Sequence, residues 1–118
     1  PFLVGEDADW VQAARQRYRQ RFVITVAQLA AHMETLDPGA SVRLYERALD
    51  IEPLAETLSR RLMHLHASRG DTAEALRAWR SCCTMLRVSA GLEPSAETTR
   101  MATSLGLLVS AGPAATHP

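Results

Sequence analysis

Apolar residues recur along the chain at three- and four-residue steps, and no segment alternates apolar and polar residues for long enough to argue a strand. From Asp7 to Leu36 the residues Trp10, Ala14, Tyr18, Phe22, Thr25, Val26, Leu29 and Met33 form one broad stripe, which predicts an unusually long amphipathic helix. Asp7 and Asp9 place negative charge at its start, where the helix dipole favours it. Asp37 followed by Pro38 predicts an N-cap and a proline in the first turn of a second helix, whose face carries Val42, Tyr45, Ala48 and Leu49 as far as Ile51. A third helix is expected from about Pro53, striped by Leu54, Leu58, Leu62 and Leu65, and closed at Arg69-Gly70. Asp71 with Glu74 opens a fourth, whose stripe is Ala75, Leu76, Trp79, Cys82, Cys83 and Leu86. After the break at Ala90 to Pro94, Ser95 caps a fifth with Met101, Leu105 and Leu108 on one face. The residues past Ser110 have neither period nor bulk, and residues 110–118 are expected to form a flexible tail behind a domain of residues 1–109.

The chain also repeats. Shifted by 34 residues it aligns His32 with His66, Asp37 with Asp71, Tyr45 with Trp79 and Ala48 with Cys82. That period belongs to tetratricopeptide (TPR) helix hairpins, in which small residues let two helices approach and a large aromatic fills the space between them. Leu62, Gly70, Asp71, Ala75, Trp79 and Cys82 occupy the signature places of the second copy, and Tyr45, Ala48 and Pro53 those of the first. The copies diverge elsewhere, since the first lacks the mid-repeat glycine and the second has Arg87 where proline is usual. The expected fold class is all-α, a TPR-like right-handed superhelix of about five helices. His32 and His66, at matching positions, are expected to be packed.

Composition narrows the chemistry. Thirteen acidic and thirteen basic residues leave no net charge on the 118, so no overall field draws the chain to nucleic acid or an anionic membrane. Every one of the cations is arginine, and lysine and asparagine are missing, a bias that a GC-rich genome explains. Arg15 and Arg19 fall on one flank of the first stripe and Arg17 and Arg21 on the other, a split that argues against one nucleic-acid patch. His64 and His66 lie about 200° apart on a helix, whereas a metal-binding pair wants three- or four-residue spacing. Cys82 and Cys83 are adjacent, too strained to bridge, and read as small hydrophobes. No nucleophile and base pattern or phosphate loop stands out, so neither enzyme activity, a metal nor a cofactor is expected. No apolar stretch reaches the roughly 20 residues of a membrane span, and a cytoplasmic protein with reduced cysteines is expected. The chain opens at Pro1 rather than Met, which suggests a piece of a longer polypeptide.

A more specific likeness runs through the same residues. Tyr45 to Glu56, then Arg61-Leu62-Met63, Gly70 to Leu76, and Gly91-Leu92-Glu93-Pro94-Ser95-Ala96-Glu97-Thr98 resemble the bacterial transcriptional activator domain, as do Pro1-Phe2-Leu3 and Trp10 at the start. The likeness covers the chain up to about Leu105. It implies the TPR-like regulatory domain of SARP-type activators or of the ATPase-containing regulators related to them, in which a winged-helix DNA-binding domain lies outside this segment. The same pattern places Thr57, Arg60, His64 and Ala67 on the concave wall, with Arg60 and His64 as the residues expected to touch a protein partner. That partner is another domain of the regulator, a second protomer in a homodimer, or the transcription machinery. The fifth helix filling the groove is the competing expectation, and a TPR adaptor unrelated to transcription is the alternative function.

Overall fold

The structure, a computed structural model, describes residues 4–108, with side chains described from residue 8. It is all-helical over those residues, in the order α1 (Val4–Leu36), α2 (Pro38–Ile51), α3 (Glu56–Ser68), α4 (Thr72–Ala90) and α5 (Ala96–Ser104). The expected tail, residues 110–118, lies outside the described residues.

Each helix starts and stops for a local reason. Asp37 caps α2 by accepting from the Ala40 amide at 3.1 Å, and Pro38 occupies the first turn. At the end of α3, Gly70 adopts φ +76°, its amide bonds to the Ala67 carbonyl at 3.0 Å, and the Asp71 amide reaches back to the His66 carbonyl at 2.9 Å. This paired closure needs a left-handed residue, which glycine supplies without steric cost. Asp71 then caps α4 through the Glu74 amide at 3.2 Å. One tight corner thereby ends a helix and starts the next.

The elements stack as two hairpins. α1 packs on α2 and α3 on α4, while α2 lies against α3 and α5 crosses onto α3. The first core joins Val23, Ala30, Tyr45, Ala48, Leu58, Leu62 and Leu65; the second joins Met63, Trp79 and Ala102. The repeat signature fills these cores, since Tyr45, Ala48, Leu62, Ala75, Trp79 and Cys82 are all buried and Pro53 is half-buried. Ala30, Ala48 and Ala75 are fully covered, as residues at close helix crossings must be. The Ser41 hydroxyl donates to the Ala30 carbonyl at 2.6 Å, joining α1 to α2 inside the first core.

Four expectations are corrected. α3 begins at Glu56 rather than near Pro53, because residues 53–55 form a turn in which the Ala55 amide bonds to the Glu52 carbonyl at 3.1 Å. Leu54 therefore leaves the stripe and is exposed. α5 stops at Ser104 because Gly106 turns to φ +78°, so Leu108 is not helical, although Leu105, Leu107 and Leu108 still cover the second core. In α1 the buried residues are Val23 and Ala30, with Val26 and Ala27 packed beside them, whereas Trp10, Tyr18, Phe22 and Leu29 point away from α2 and are exposed. His32 is exposed as well, since only His66 of the pair has helices on both sides. α1 thus has two apolar faces, and the aromatic one lies outside the core.

Candidate functional site

The residues singled out for partner contact lie on α3. Thr57, Arg60 and His64 follow one another by three- and four-residue steps and share one side of the helix. With Glu34 from α1, Arg61 from α3 and Glu97 from α5 they line a groove of about 380 Å³. Ala67 is half-buried and does not reach that groove.

Arg60 is tied to α5. Its Nη1 donates to Thr98 Oγ1 at 2.8 Å and its Nη2 to Thr57 Oγ1 at 3.1 Å, and it stands 3.7 Å from the Glu97 carboxylate. The Thr98 hydroxyl donates in turn to Glu56 Oε1 at 2.6 Å, the same oxygen that accepts from the Ser95 amide at 2.9 Å. Thr98 is fully buried, and Ser95 caps α5 by accepting its amide at 3.3 Å. Burial alone would raise the Glu56 carboxyl, but the donors from Thr98 and Ser95 and the Arg60 charge outweigh it and hold the group below its ordinary value. The Ser95-Ala96-Glu97-Thr98 stretch is therefore the plug by which α5 docks on α3. Sequence reading found the Ser95 cap but not Glu56 as its acceptor, because nothing local links residues some forty positions apart.

His64 is exposed, like Thr57, but unlike Thr57 and Arg60 it makes no side-chain hydrogen bond among the described residues. The fully buried Tyr45 donates its hydroxyl to Glu34 Oε2, a residue of the groove, bridging α2 to α1. Burial pushes the Tyr45 phenol up, and the bond to Glu34 adds to this against the lowering by Arg61.

A second cavity of about 580 Å³ opens over α2, α3 and α4 and was not singled out in the sequence. Leu49, Leu62 and Met85 form part of its floor, and Glu46, Asp50 and Glu74 give it an acidic rim. Glu74 is paired there with Arg77 at 3.3 Å. Cys82, also on this floor, is free, as is Cys83, and burial raises both thiols, so neither is poised as a thiolate. Among the described residues no group of three or more His, Cys, Asp or Glu side chains could hold a metal ion, and no helix is long and apolar enough to cross a membrane.

Two helix hairpins closed by a short fifth helix, offering grooves between their helices, define a TPR-like scaffold. A family model described as the bacterial transcriptional activator domain matches residues 1–105, and the chain belongs to that family. It is a transcription-regulator domain, of a regulatory family and not an enzyme family. No curated protein and no solved structure matches the chain.

Proposed function

We propose that this domain acts by protein contact inside a cytoplasmic bacterial transcription regulator of the SARP type or its ATPase-containing relatives, with DNA bound by a winged helix outside residues 1–118. The partner is another domain of the same regulator, a second protomer or the transcription machinery, and the domain itself binds neither DNA nor a cofactor. The observation that carries this reading is the groove between α1, α3 and α5, in which Thr57 and His64 are exposed while Arg60 fixes the α5 wall. An adaptor unrelated to transcription has no observation in its favour once the family is known.

The test is made in the regulator that carries the domain, with Thr57→Glu and His64→Glu combined. Both sites are exposed, so helicity and melting temperature should hold within a few degrees. Promoter activation should fall at least tenfold, because two carboxylates beside Glu34 and Glu97 turn the groove strongly acidic. Full activation by the folded variant would remove the groove from the function.

A further inference from the structure

The outward face of α1 is a feature the groove reading leaves unused. Trp10 is 70% exposed and Tyr18 74%, with Val11 and Phe22 beside them at 38% and 39%. Single exposed apolar residues are ordinary, but Trp10, Ala14, Tyr18 and Phe22 follow one another at four-residue steps and make one stripe. α2 spans only 14 residues against the 33 of α1, so the first half of α1 extends beyond the α2 end, where Arg19 stands 3.8 Å from Glu52.

We propose that this stripe is a self-association surface on which two copies of the chain pair their α1 helices antiparallel, crossing at Ala14. Charge selects the occupant and the register. The first turns of α1 carry Glu6, Asp7 and Asp9, and the following turns carry Arg15, Arg17, Arg19 and Arg21. A parallel pair would stack arginine on arginine. An antiparallel pair overlapping along all of α1 would lay Arg19 of each copy against Arg21 of the other, and Arg15 and Arg17 against the uncharged Thr25 and Val23. Crossing at Ala14 alone sets the acidic end of each helix beside the arginines of the other. The same register places Trp10 of each copy over Tyr18 of its mate, an aromatic pair formed twice by symmetry, and puts the small Ala14 at the closest approach. The charged and aromatic part of the overlap, Asp7 to Arg21, is about 15 residues or roughly 22 Å of helix, so the interface falls at or below about 1,200 Å², the lower edge of the standard size, and belongs to the reversible, concentration-dependent class.

This deepens the reading above by naming a second copy of the chain as a partner, and it is tested on association itself, so its failure leaves the groove and the family membership standing. Sedimentation equilibrium of the full chain, from about 5 to about 300 µM, should show mass rising from 12.9 kDa toward twice that value. Trp10→Glu with Tyr18→Glu should hold the chain monomeric with its helicity and melting temperature unchanged, since neither side chain enters a core. Arg19→Glu with Arg21→Glu should weaken self-association at least tenfold, and mixing that variant with Asp7→Arg plus Asp9→Arg should restore pairing as a heterodimer. A chain that stays monomeric throughout overturns the proposal and assigns the stripe to a different polypeptide. Association that survives Trp10→Glu with Tyr18→Glu overturns it too, and a mixture that fails to pair overturns the antiparallel register.

Discussion

Glu56 and Arg60, one turn apart on α3, reach the same hydroxyl, that of Thr98, from either side. A buried hydroxyl held by a carboxylate and a guanidinium has its donor and acceptor capacity answered, and removing either partner leaves a polar group without compensation. Arg60→Ala is therefore expected to destabilise the domain by about 1 to 3 kcal/mol, measured by urea unfolding, whereas His64→Ala should stay within about 0.5 kcal/mol. The Arg60 to Glu97 pair contributes little of this, since Glu97 is largely exposed. The carboxyl of Glu56 is held below its ordinary value, so its contribution is fully present above an unfolded-state pKa of about 4.3 and is lost as pH falls through the lower folded value. Between about pH 6 and pH 3 wild type should lose its stability advantage over Glu56→Gln, and parallel pH profiles for the two would contradict that role. At this scale sequence reading reached only half of the picture. Arg60 and Thr57 were legible as one face of a helix and the fifth helix as a competitor for their groove, but which α5 residues hold Arg60 depends on a fold-back that no local pattern encodes.

At the scale of elements, punctuation was the most legible signal. Asp37-Pro38, Arg69-Gly70-Asp71 and Ser95 each act where residue chemistry alone demands, through a side-chain acceptor, a missing amide or a left-handed backbone. The α3 start was missed because Pro53 is as much at home in a turn as in a first helical turn, and the α5 end because Gly106 lies within an apolar run. The α1 faces were exchanged for a different reason. Its aromatic stripe is the more hydrophobic, but closeness to α2 requires the smaller residues Ala27 and Ala30, so packing geometry overrides bulk. Gly70→Ala should cost about 1 kcal/mol from backbone strain alone, for no atom lies within 4 Å of the added methyl. Gly39→Ala, in the first turn of α2 with ordinary contacts at 3.6 Å to Arg43 and Asp37, should gain about 0.5 kcal/mol instead. Chemical denaturation of both variants checks the pair, and equal shifts would contradict the corner at Gly70.

Across the whole molecule, the helices close over two cores, and the second gathers Trp79 of α4 with Met63 of α3 and Ala102 of α5. Trp79→Ala should lower stability by about 3 to 5 kcal/mol, enough to unfold or severely loosen a domain whose total is of order 5 to 15. A melting temperature within a few degrees of wild type would refute the repeat register. The repeat was legible because its period and aromatic spacing are global properties of the sequence. A zero net charge with divided arginines predicts that the isolated chain shows no submicromolar, sequence-dependent binding to duplex DNA at physiological salt. The most direct measurement is made on the regulator that contains this domain, comparing promoter binding and transcription with and without residues 1–105. A contact domain predicts that its removal leaves sequence-specific promoter binding within about threefold while transcription activation is lost. Activation that persists without residues 1–105, or DNA recognition that disappears with them, would contradict it.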